Sequence, residues 1–224
     1  MSLKTQNLTR AYHLGSSTIT AVNQVNVEIK QATFVTIVGP SGSGKTTLLN
    51  LLGLNDYPTS GKIFLDNEDL TLFSDRQRRK MRLRQMGFIF QTFNLIPTLT
   101  ALENVELPMA LAGNMQEEQR KKAIQLLQKV GLEERLDHRP KELSAGEMQR
   151  VAIARALCND PRFVLADEPT GELDSETGLE IIRLLSELCR TREATVVVAT
   201  HDMRLTEVAD ETFEIRDGRI VGRH

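Results

Sequence analysis

Gly39-Pro40-Ser41-Gly42-Ser43-Gly44-Lys45-Thr46 carries the spacing glycine, four residues, glycine, lysine, threonine. Glycines at those positions let the backbone turn tightly, so that successive N–H groups converge on an anion. Phe34 to Val38 before the loop is a β-branched run that reads as a buried strand, and Thr46 to Leu52 after it has helical length. A strand feeding such a loop into a helix N-terminus is built to hold phosphates. Gly39, Ser41, Gly42, Ser43, Gly44 and Thr47 are then candidate phosphate contacts. Lys45 supplies a point charge to the β- and γ-oxygens, and the Thr46 hydroxyl can ligate Mg²⁺. A glycine-rich turn with an incidental lysine is the plain alternative, and the flanking strand and helix speak against it.

Nucleotide chemistry also needs an acid for the metal and a group to activate water. Arg162-Phe163-Val164-Leu165-Ala166-Asp167-Glu168 brings two acids to the end of an apolar strand, the edge where open parallel sheets place their ligands. Asp167 suits the metal and Glu168 suits the water. A further apolar strand, Thr195 to Thr200, ends in His201, a candidate γ-phosphate sensor; Phe88-Ile89-Phe90 ends in Gln91, which can orient water or touch the metal. Separately, these are also what an acidic turn or a surface histidine looks like.

Ser144-Ala145-Gly146-Glu147 precedes Val151 to Leu157 and has the form of a capping box at a helix start. A helix N-terminus with a serine hydroxyl is equally an anion site. Since the chain already has one phosphate cradle, a second is most useful when another molecule presents it.

In order and spacing, these elements with Gly171-Glu172-Leu173-Asp174 resemble the ATP-binding-cassette ATPases along nearly the whole chain. The resemblance implies an α/β fold: a P-loop NTPase (RecA-like) core with an antiparallel β subdomain and a helical signature subdomain. Core and β subdomain would occupy about 1–90 and 155–224, and the helical subdomain about 92–154, in a single domain of residues 1–224. It implies ATP and Mg²⁺ as ligands, Glu168 as catalytic base, His201 as switch histidine, and Tyr12 stacking on adenine. Ser144, Gly146 and Glu147 match the family signature, and Asp174 the D-loop aspartate. It further implies a homodimer in the ATP-bound state and a separate transmembrane permease, with the chain peripheral on the cytoplasmic face of the cell membrane. Glu103 to Pro108 and Ala166 to Gly171 look like the lipoprotein-releasing, macrolide-exporting and peptide-exporting branch. Three residues depart from the usual pattern: Ala145 where glycine is common, Glu147 where glutamine is frequent, and Glu172 beside the D-loop aspartate. Glu147 is expected to turn back onto its own helix.

A regulatory ATPase that signals through a membrane partner is the nearest alternative. A nucleic-acid-associated cassette is disfavoured, because no long insertion interrupts the motifs. A metabolite kinase would have no use for the signature.

The 224 residues, 40% hydrophobic and 26% charged, suffice for one compact domain with a full core. A net charge of −2 gives no global attraction to nucleic acid. Cys158 and Cys189 lack metal-ligand spacing and read as reduced thiols. No apolar run approaches the roughly 20 residues of a membrane span, so a pore is expected in another chain.

The remaining segments position these groups. Val25 to Ile29 and Lys62 to Leu65 read as antiparallel strands, Thr92 to Pro140 as helical with Gly131 as a cap, and Glu176 to Cys189 as an amphipathic helix. Asp217-Gly218 reads as a hairpin turn. Asp75 to Arg84, with six basic residues, reads as a solvated helix. Phe93, Leu95, Ile96 and Leu99 follow Gln91 and read either as buried core or as an apolar surface that moves with the γ-phosphate, where the resemblance implies a groove for a permease helix.

Overall fold

The computed structural model describes residues 2–15, 17–191 and 194–224. Its strands are β1 (Ser2–Leu14), β2 (Ser17–Val25), β3 (Glu28–Lys30), β4 (Phe34–Val38), β5 (Ser60–Leu65), β6 (Glu68–Asp69), β7 (Met86–Ile89), β8 (Phe163–Asp167), β9 (Thr195–Thr200), β10 (Glu211–Arg216) and β11 (Arg219–Arg223). The α-helices are α1 (Lys45–Leu52), α2 (Asp75–Gln85), α3 (Ala101–Ala112), α4 (Gln116–Lys129), α5 (Ala145–Leu157) and α6 (Ser175–Arg190).

Strands β11-β10-β4-β9-β8-β7 form one sheet, parallel from β10 to β7. Strands β2-β1-β5-β6, with β3 also on β1, form an antiparallel second sheet. The apolar runs of the central strands, interrupted in β4 by the buried, hydrogen-bonded Thr36, follow from burial on both faces. Phe34, Val164, Ala166, Val196 and Val198 pack with α3, α4, α5 and α6, whereas Val35, Ile37, Phe163, Leu165, Val197 and Ala199 face α1 and the antiparallel sheet. Because β4, β7, β8 and β9 run parallel, their C-terminal ends share one edge, and the phosphate loop, Gln91, Glu168 and His201 all follow from it.

Helix starts match local chemistry. Thr100 and Glu103 form a capping box on α3, Ser74 and Gln77 another on α2, and the Asp174 carboxylate caps α6. Gly131 stands just past α4 with φ +73°. The β10–β11 hairpin turns on Asp217 and Gly218, both with positive φ. Its tip braces the phosphate loop, since Gly218 N–H donates to Ser43 O over 2.9 Å and Asn23 N–H donates to Gly218 O over 2.7 Å.

Three expectations change. The Val25–Ile29 strand is interrupted, with β2 ending at Val25 and β3 starting at Glu28. The 92–140 segment holds α3 and α4, but 92–100 is non-helical and short 3₁₀ turns follow α4. Helix α2 is not basic all round to solvent: Arg78 is 1% exposed, lies 3.9 Å over the Tyr57 ring and donates to the Leu54 and Asp56 carbonyls. Those carbonyls just beyond α1 are a partly negative patch that a guanidinium can satisfy.

Candidate nucleotide site

Gly44 fixes the loop. It is the N-cap of α1 with φ +106°, and a Cβ there would lie 2.1 Å from Ala21 O. Backbone and fit both exclude a side chain. A cavity of about 650 Å³ opens over the loop, lined by Ser41, Gly42, Ser43, Gly44, Lys45, Thr46 and Thr47 together with Ala21, Gln91, Glu168 and His201. Gly39 sits at the base of the loop, where a Cβ would meet Ile215 O at 2.2 Å.

Lys45 is buried and its ammonium donates to Gly39 O over 2.8 Å and Pro40 O over 3.1 Å. Ser43 Oγ is buried with no hydrogen-bond partner, an orphan that a phosphate oxygen would relieve. The Thr46 hydroxyl donates to Asp167 Oδ1 over 3.0 Å. Burial pushes the Asp167 carboxyl above the usual aspartate range, against the Thr46 hydrogen bond.

Glu168 follows β8 with φ +46°, a backbone strain of the kind found where geometry matters more than comfort. Its Oε2 accepts from Thr200 Oγ1 at 3.0 Å and from His201 N–H at 3.2 Å, and lies 3.0 Å from His201 Nδ1. Its Oε1 is 3.9 Å from Lys45 Nζ. Gln91 Nε2 donates to Glu172 Oε1 over 3.0 Å.

The other expected residues lie outside this cavity. Ser144 caps α5: its Oγ accepts from Glu147 N–H at 3.2 Å while Glu147 Oε2 accepts from Ser144 N–H at 2.8 Å. Glu147 therefore turns back as expected, and that backbone hydrogen bond together with Arg135 holds its carboxyl below the usual glutamate range. Ala145 is absent from the positive-φ positions, so its methyl group sits at an ordinary backbone angle. Gly146 abuts α6, where a Cβ would lie 2.5 Å from Thr177 Cγ2. Asp174 accepts from Thr177 Oγ1 at 2.6 Å besides its cap bonds. Tyr12 donates to Asp56 Oδ2 over 2.7 Å, and the Arg10 guanidinium stacks 4.4 Å from its ring centre.

Three contributors escaped the motifs. Thr200, fully buried, anchors Glu168; its signal was a polar residue closing an apolar strand. Buried Gln149 donates from α5 to Pro169 O, and Arg155 donates to Phe93 O over 2.8 Å and to Asn94 O. A lone polar residue within a helix gives no local hint of such long-range partners.

A larger groove of about 720 Å³ lies away from the phosphate loop, between α2, β7 and α3. Phe88, Phe90, Pro108 and Leu111 line it, with Arg76, Arg79, Lys80 and Arg84 among its other walls. Phe93, Leu95, Ile96 and Leu99 do not line it; Leu95 packs instead against the helical core.

This arrangement defines a nucleotide-binding α/β ATPase. The family model described as ABC transporter matches residues 22–171. The chain is 49% identical over 213 residues to an uncharacterized ABC transporter ATP-binding protein of Thermotoga maritima, covering 95% of this chain and 91% of that one. It is 44% identical to the lipoprotein-releasing system ATP-binding protein LolD of Legionella pneumophila, covering 99% and 97%. The dimeric structure of the cassette MJ0796 bound to ADP and Pi superposes with TM-score 0.92 at 45% identity, covering 99% and 97%. The chain belongs to the ABC transporter family, as its ATP-binding and ATP-hydrolysing component. No helix among the described residues is long and apolar enough to cross a membrane.

Proposed function

We propose that the chain hydrolyses Mg-ATP at two composite sites, formed when two copies close head to tail, and that closure drives a separate membrane permease. One observation carries this: Lys45, Thr46, Gln91, Glu168 and His201 share one cavity, whereas the Ser144–Gly146 helix start of the same chain lies outside it. A second copy supplies what the first cannot reach. The similar MJ0796 cassette is described as dimeric, which supports this reading.

Among the described residues, no cluster of three or more His, Cys, Asp or Glu side chains is arranged to hold a metal. Mg²⁺ fits all the same, because it takes one or two protein oxygens and fills its remaining positions with water and phosphate oxygens. Thr46 and Asp167, with Gln91, would hold it, and it would neutralise charge on the β- and γ-phosphates.

Lys45 exchanges the Gly39 and Pro40 carbonyls for phosphate oxygens, which it meets as a full charge rather than a carbonyl dipole. Glu168 accepts a proton from the water whose oxygen attacks the γ-phosphorus, and ADP leaves as the β–γ bridging bond breaks. His201 donates to the departing phosphate, while Ser144 and Gly146 of the other copy close over it with Glu147 holding their helix start. Tyr12, backed by Arg10, stacks on adenine, and Asp174 lies at the seam between copies.

The groove between α2 and α3 receives a cytoplasmic helix of the permease, with an apolar floor for its packing and basic walls for its acids. Residues 92–154 act as a lever against 1–90 and 155–224, on the cytoplasmic face of the membrane. Lipoprotein, peptide or drug extrusion is the transport class, and the lipoprotein-releasing name of the LolD relative supports the first of these. Glu168→Gln should form a dimer on size exclusion in saturating Mg-ATP while hydrolysing very slowly; a monomer under those conditions counts against composite sites.

A further inference from the structure

Gln91 and Glu172, 81 positions apart in sequence, meet through the Gln91 Nε2 donor and the Glu172 Oε1 acceptor. The backbone at Gly171 closes on the same amide, since a Cβ there would lie 3.2 Å from Gln91 Nε2 and 3.4 Å from its Cδ. A carboxamide has one donating and one accepting end, whereas an ionised carboxylate only accepts. Glu172 therefore distinguishes the two orientations of the amide and binds the nitrogen end. The carbonyl end is the one that Glu172 does not hold, and Gln91 lines the phosphate cavity.

We propose that Glu172 is a positioning residue that locks the Gln91 amide with Oε1 free for the cation or its water. This rests on the Mg-ATP reading of the cavity. The same loop returns to the chemistry: Gly171 N–H donates to Glu168 O over 3.0 Å, and Asp174 two residues after Glu172 caps α6. The Glu172 carboxylate thus ties Gln91 to the short loop that joins the catalytic turn to the α6 cap. An amide at position 172 would lose that discrimination, because it can rotate to present either end.

The test measures Mn²⁺ binding by electron paramagnetic resonance, with a non-hydrolysable ATP analogue on the intact chain. Glu172→Ala should weaken Mn²⁺ binding about fivefold, the scale of one hydrogen bond to a charged group at a solvated site, and Glu172→Gln by less. The melting temperature should not change. In metal-free protein, the ¹⁵N side-chain amide pair of Gln91 should lose its dispersion in Glu172→Ala. In a Gln91→Ala background the Glu172→Ala effect on Mn²⁺ should vanish. Unchanged Mn²⁺ binding in Glu172→Ala, or an equal loss when Gln91 is already alanine, overturns the proposal while leaving the Mg-ATP site intact. A wild-type chain that takes up no Mn²⁺ with the nucleotide overturns the site reading and the proposal together.

Discussion

The Thr200 hydroxyl donates to Glu168 Oε2 over 3.0 Å from the last, fully buried position of β9. That bond fixes the carboxylate from the protein side and leaves Oε1 toward Lys45. Thr200→Val keeps the shape and removes the donor. Hydrogen bonds to charged groups contribute about 1.5–3 kcal/mol, so kcat should fall roughly tenfold or more with little change in KM. Steady-state ATPase kinetics separate the two parameters, and a rise in KM alone would place Thr200 in binding instead.

The phosphate loop, Asp167, Glu168 and His201 were legible because each is a polar group ending an apolar strand, and parallel strands deliver their ends to one edge. The Glu147 back-bond was legible for a similar reason, as a capping box is a local, three-residue pattern. What the chain order hid was everything made by side chains reaching across the fold. Arg78 shares a helix with exposed basic residues and nothing local marks it as buried. The groove drew its lining from α2, β7, α3 and α5 with Phe90, rather than from the apolar residues that follow Gln91.

Arg155 clamps the segment after Gln91 by donating to the carbonyls of Phe93 and Asn94, both held at positive φ. Such backbone persists only when its surroundings hold it. In Arg155→Leu the local opening free energy of this segment should drop by about 2 kcal/mol, which speeds exchange of the amides of 93–96 roughly 30-fold. Hydrogen exchange with mass spectrometry reads this directly, and unchanged protection would show that the loop holds itself.

Arg78 combines satisfied and unsatisfied contacts, since Nη2 donates to Leu54 O over 3.1 Å whereas Nε and Nη1 are buried without partners. Burial lowers its guanidinium pKa. Arg82 also donates to Leu54 O over 2.8 Å, so that carbonyl keeps a partner when Arg78 is lost. Replacement by a long apolar chain should therefore cost less than truncation. Arg78→Ala is expected to lose about 3 kcal/mol and Arg78→Met about 1 kcal/mol in urea unfolding. Equal losses would show that the charge, not the filled space, supports α2.

Glu147 gives the pH dependence a definite sign. Its carboxyl titrates below the usual glutamate range in the folded chain, chiefly because it accepts the Ser144 backbone N–H and also because Arg135 lies at 2.9 Å. A carboxylate with a depressed folded pKa stabilises fully above its unfolded pKa and loses that contribution as pH falls through the folded value. Wild type should thus exceed Glu147→Gln by about 0.5–1 kcal/mol near neutral pH, a modest figure because the side chain is partly solvated. The gap should narrow as pH falls below the ordinary glutamate pKa of about 4.3 and close once both states are protonated, as denaturation curves across the acid range would record. A gap independent of pH would assign the difference to shape rather than charge, because glutamine can still accept the Ser144 N–H but cannot pair with Arg135.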